Sequence, residues 1–168
     1  MILRRGKLAL VFAVGLFYTF VVFNNVTDYH SNYQFVRHVL MMDSTFQENS
    51  GMWRALNSPV WHTAFYVSII AWESIVMVLC WWGGLRLVHV ISAPASVFDQ
   101  AKGVAIGALV LSMLMWLVAF LAVGGEWFLM WQSKLWNGQD AAFRMFTVTG
   151  VVLLLLAQPD SDVRTSAR

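Results

Sequence analysis

Charge is what this chain has least of. Asp, Glu, Lys and Arg make up 12% of its 168 residues, against 59% hydrophobic. A soluble domain of that length needs far more polar surface. The formal charge of +2 is too small to point to nucleic acid. The single cysteine, Cys80, lies inside an apolar run and excludes an intrachain disulfide. Proline occurs three times, at Pro59, Pro94 and Pro159, each at the edge of an apolar stretch. The sequence also lacks a phosphate-binding glycine loop, a nucleophile elbow and a cysteine pair. Those absences remove the common enzyme signatures, so the expectation is a chain that is not an enzyme.

What is present is length of apolar run. Four stretches, about residues 8–26, 60–85, 103–125 and 141–157, are long enough to cross a bilayer or nearly so. The expected fold is all-α: one polytopic domain over residues 1–168, with four transmembrane helices and a short amphipathic helix in the first loop. Arg4, Arg5 and Lys7 precede the first run, but Phe23-Asn24-Asn25 ends it without a small-x-small cleavage site, so an uncleaved span is expected. Ser58-Pro59 opens the second span, with Ser as N-cap and Pro where a missing amide does no harm. Gly83-Gly84 is expected to loosen its exit. Gln158-Pro159 closes the fourth, leaving a polar tail from Asp160.

The loops carry their own patterns. Ser31-Asn32-Tyr33-Gln34 has the form of a capping box. After it, Phe35, Val36, Val39, Leu40 and Met42 share one helical face, with Gln34, Arg37, His38 and Met41 on the other, which predicts an amphipathic helix over about residues 32–42. Asn49-Ser50-Gly51 is expected to turn the chain, and Ser96-Val97-Phe98-Asp99 repeats the capping-box form ahead of the third span. Trp127, Trp131 and Trp136 crowd the last loop, as an interfacial aromatic belt does. Asn25-Val26-Thr27 has the spacing of a glycosylation acceptor but abuts a span end.

The residue that stands out is Glu73, about 20 Å from either end of the second run at ~1.5 Å per residue. A carboxylate inside a span is costly and marks a candidate functional site. Two readings stand side by side: a titrating or cation-binding group, or a hydrogen-bonded fastener between spans. Tyr18, Thr19, Ser112, Thr147 and Thr149 are the donors expected at similar depth. Glu126 and Arg144, near the outer edges of consecutive spans, form a candidate ion pair. Gly103 with Gly107, and Ala108 with Ser112, are small-x-x-x-small pairs suited to close helix packing. Among His30, His38, His62 and His89 no span supplies two ring ligands at mid-depth, as a haem between helices needs, although His38 and His62 could approach on the outer side; Asp28, His30, His38 and Asp43 are suitable ligand types but lack a metal-ligand spacing. No cofactor or metal is expected.

Lys and Arg divide seven to four in favour of the side that holds both termini and the middle loop, counting Arg4, Arg5, Lys7, Arg86, Lys102, Arg164 and Arg168 against Arg37, Arg54, Lys134 and Arg144. The positive-inside rule then predicts cytoplasmic termini. The segment NNVTDYHSNYQFVRHVLMMDSTF, residues 24–46, together with Trp72-Glu73, resembles domain-of-unknown-function family twenty-one sixty-five, the predicted small integral membrane proteins. That resemblance runs over nearly the whole chain. It implies a bacterial inner-membrane protein and transfers no catalytic residue. The functional expectation is an accessory or assembly subunit that lies in the lipid bilayer with a membrane-protein partner or as a homo-oligomer. The alternative is a small proton- or cation-linked carrier that uses Glu73.

Overall fold

A computed structural model of the chain describes residues 1–46 and 48–161. Arg164 and Arg168, counted above for orientation, lie outside them. Four helical stretches are long and apolar enough to cross a membrane: Ile2–Thr27, Pro59–His89, Ala95–Trp127 and Gln139–Ala157. The fold is all-helical, as expected.

The first crossing is α1 (Ile2–Thr27). It starts at Ile2 rather than Leu8, so Arg4 and Lys7 lie on the helix itself. The amphipathic helix α2 (Tyr29–Met41) follows directly, with Asp28 between the two. Val36 and Leu40 are buried on its inner face, and Met42 just beyond them is buried in a left-handed conformation with φ 54°. Because α2 begins two residues before the expected cap, Ser31 lies inside its first turn and the capping box does not form. Gln34 instead bonds to His30 and accepts from Arg37.

The second crossing is α3 (Pro59–His89), entered from Ser58 with Pro at the first turn. The third begins at α4 (Ala95–Ala101), continues through α5 (Gly103–Leu114), and widens into π-type winding over Met115–Trp127. The amide of Phe128 accordingly reaches back five residues to the Val123 carbonyl, at 3.0 Å. Pro94, not Ser96, precedes α4, so the second capping box is also absent. The last crossing is α6 (Gln139–Ala157). Single tight turns, Met52–Arg54 and Met130–Gln132, sit in the two loops beside α2.

The helices close into a ring: α1 packs on α3, α3 on α5, α5 and the π segment on α6, and α6 returns to α1. Cross-links fix the alternating direction. Arg4, at the start of α1, meets Ile91 and Ala93, past the end of α3. Asn25, at the far end of α1, meets Tyr66 near the start of α3. One apolar core runs through the ring around Val11, Tyr18, Val76, Cys80, Ala105 and Leu109. A second lies under α2, around Val36, Leu40, Met42, Tyr66 and Phe128.

Close packing comes from residues other than the expected pair. A Cβ added at Gly103 or Gly107 meets nothing, so that pair faces outward, while Ala108 and Ser112 are buried. The tight approach is at Gly83, where a Cβ would lie 2.7 Å from the Ala105 nitrogen, and at Gly84, where it would meet the Phe12 ring at 2.6 Å. The Gly-Gly step therefore admits neighbouring helices rather than loosening the end of α3.

Candidate functional site

Glu73 sits on the inner face of α3 with Tyr66, Val76 and Cys80, spaced three to seven residues apart as a helical stripe requires. It is 3% exposed. Ile75, two residues on, faces outward, and the half-buried Trp72 donates its indole N–H to the Leu111 carbonyl of α5 at 3.1 Å. The carboxylate oxygen Oε2 accepts from Asn25 Nδ2 at 2.6 Å. The Tyr66 hydroxyl donates toward the backbone oxygen and Oδ1 of that same Asn25, at 3.0 and 3.2 Å. Glu73, Asn25 and Tyr66 thus clamp α1 to α3.

None of the five donors expected from sequence bonds to Glu73. α1 ends two residues beyond Asn25, so the carboxylate lies toward the loop end of α1 and not at its centre. Distance measured along α3 alone misplaces it, because α3 overshoots α1 at that end. Asn25 was visible only as part of a glycosylation-like triplet. The overlooked signal was its place on the α1 stripe that also carries Val11, Val14 and Tyr18.

Tyr18, Ser112 and Thr149 instead make a second clamp. The Tyr18 hydroxyl lies 2.7 Å from Ser112 Oγ, Ser112 lies 3.3 Å from Thr149 Oγ1, and the Trp116 indole donates to Tyr18 at 2.9 Å. That joins α1, α5, the π segment and α6. Thr19 and Thr147 bond back to their own helix carbonyls.

The third clamp was not legible as such. Asp160, read as the first residue of a polar tail, is buried between Lys7 at 2.7 Å and Lys102 at 2.6 Å, with Arg4 at 3.8 Å. Arg4 also donates to the carbonyls of Ile91, Ala93 and Ser161, and both lysines donate to that of Gln158. Asp99 completes the group, bonded to Lys102 and to the Asp160 amide. Arg4 and Lys102 are each 2% exposed and lie over the Phe98 ring. Burial alone would push the Asp160 carboxyl up, but the hydrogen bonds from Lys102 and Lys7 outweigh it and hold it below the usual aspartate value.

The remaining candidates disperse. Glu126 and Arg144 are both exposed and, among the described residues, form no ion pair. Among the described residues no three His, Cys, Asp or Glu side chains gather as a metal group would require. His38 pairs with Asp43 at 2.6 Å and stacks on Trp136 with ring centres 4.5 Å apart. His89 donates to Leu85 in its own helix. The buried His62 donates to the Leu56 carbonyl at 2.7 Å.

A family model described as "Predicted small integral membrane protein (DUF2165)" matches residues 3–159. No curated protein and no solved structure matches the chain.

Proposed function

Since the chain belongs to the DUF2165 family of predicted small integral membrane proteins, we propose that it is a non-enzymatic accessory or assembly subunit of a larger membrane complex. The observation that carries this reading is the set of three polar clamps. The Glu73 clamp, the Tyr18 clamp and the Asp160 clamp tie the helices together toward both ends and in between. Their groups bond one another and link all four crossings, which suits a building block better than a bundle that must open and close around a cargo.

The outward Gly103 and Gly107 add a face on which a helix of a larger assembly can approach closely. The setting that fits is a bacterial inner membrane with cytoplasmic termini. The exposed Arg5 and Arg86 and the clamped Arg4, Lys7 and Lys102 all gather on the terminal side.

Gentle extraction of the tagged full chain from native membranes tests the proposal. A stoichiometric partner, lost when Gly107 is replaced by Leu and retained with Leu154→Ala, supports it. A chain recovered only alone or with copies of itself overturns it. The carrier reading keeps one observation in its favour, a buried carboxylate linked through Asn25 to a tyrosine nearer the loops. It requires ion flux that Glu73→Gln abolishes.

A further inference from the structure

Beneath α2 the bundle is not filled. A cavity of about 50 Å³ lies between α2, α3 and the π segment, lined by Phe35, Val39, Phe120 and Met130 among other apolar side chains. By the measure of ~10–15 Å³ per water, it has room for about four groups of that size. Its lining is nearly all apolar, and apolar cavities stay dry. Hydrocarbon is the filler that the lining favours.

A second hollow lies beside the cavity, with the packed Phe65 and Phe128 rings between them. Phe65, Val123 and Phe128 line both. At the mouth of the second hollow sits Arg54, with its guanidinium carbon 5.4 Å from the Trp53 ring centre and 5.1 Å from that of Trp127. The two indoles meet edge to face at 5.8 Å. Arg54 donates once, to the Trp127 carbonyl at 3.1 Å. Among the described residues no carboxylate pairs with it, and its buried Nε has no hydrogen-bond partner. A guanidinium held between indoles at headgroup depth, with donor capacity left over, calls for an anion.

We propose that this groove binds one anionic phospholipid. The headgroup phosphate sits on Arg54 between Trp53 and Trp127. One acyl chain runs past Phe65 and Phe128 into the cavity under α2. The assignment is independent of the accessory-subunit reading and uses none of the clamp residues.

The test is native mass spectrometry of the full chain in mild detergent, titrated separately with dioleoyl phosphatidylglycerol, dioleoyl phosphatidylcholine, oleate and glycerol phosphate. One phosphatidylglycerol is expected per chain, bound about tenfold more tightly than phosphatidylcholine, whose identical phosphate is offset by its own choline cation so that Arg54 meets no net charge. Arg54→Gln should erase that preference and Arg54→Lys should keep most of it. Ala119→Phe, which fills the cavity, should weaken both phospholipids alike; a thermal scan of each variant confirms that it is folded. Equal retention of the two phospholipids by the native chain overturns the site, and so does a preference that survives Arg54→Gln. Oleate displacing phosphatidylglycerol at equal concentration overturns the phospholipid assignment, and tight binding of glycerol phosphate removes the acyl groove from the account.

Discussion

At the scale of single residues, Glu73 and Asn25 act as a unit. The carboxyl group is out of water and accepts a hydrogen bond from Asn25. Glu73→Gln keeps the shape and an oxygen able to accept the Asn25 amide, so the fold should survive with little change. Asn25→Ala removes the donor, opens a small cavity and takes from the Tyr66 hydroxyl one of its two acceptors, leaving it the backbone oxygen of the same residue. In a membrane interior such a bond is worth about 1–2 kcal/mol at most. Thermal unfolding in detergent should therefore show a clear loss for Asn25→Ala, a similar loss for Glu73→Ala, and less than their sum for the double variant. Additive losses would mean that the two side chains do not support one another.

At the scale of elements, α1 explains most of the interior. Six of its seven buried positions, Arg4, Lys7, Val11, Val14, Tyr18 and Asn25, follow alternating steps of three and four with one position skipped before Asn25, and the seventh, Gly15, lies beside Val14. That is the seam of a helix packed on both of its neighbours. The stripe was readable from sequence, but the usual rules assign its charged members elsewhere. Basic residues before an apolar run read as topology signals, and a polar stretch after the last run reads as a tail. Neither rule knows that α1 starts beside the end of α6, which brings Asp160 to Lys7. The spans, the interfacial helix and its inner face were legible because apolar periodicity is local. The clamps were not, because each one joins residues dozens of positions apart.

Asp160 titrates below its ordinary value in the folded chain. Its contribution is therefore whole above the unfolded value of ~3.9 and is lost as pH falls through the lower folded value. Stability should be flat from neutral pH to about 5 and fall below about 4. Asp160→Asn should lower stability at neutral pH by about 3–5 kcal/mol, since it leaves buried cations unmatched, and should flatten the acid limb. An unchanged acid limb in that variant would assign the dependence to other carboxylates. The glycines give the second contrast. Gly83→Ala forces a methyl group against the Ala105 backbone and should cost about 1–3 kcal/mol. Gly107→Ala enters open space and should be neutral or gain up to about 1 kcal/mol from helix propensity. Equal effects at the two sites would contradict the packing described for α3 and α5.

At the scale of the whole molecule, four crossings place both ends of the chain on one face. Reporter fusions after Arg168 and between Ala93 and Ser96 should report the same compartment, and a fusion at Asn49 should report the opposite one. The proposed orientation makes the first compartment the cytoplasm. A C-terminal reporter opposite to that at Ala93 would remove α6 as a crossing and separate Asp160 from Lys7.

The proposed subunit role requires that the buried polar groups fasten the bundle and form no path through it, which a measurement of ion flux decides. The purified full chain is reconstituted into liposomes with a proton-sensitive dye inside, and a potassium gradient with valinomycin supplies the driving force. The account predicts that proton entry equals that of protein-free vesicles, for the native chain and for Glu73→Gln alike. Entry well above that background, abolished by Glu73→Gln in a variant that still folds, would contradict it and make Glu73 the carrier's titrating group.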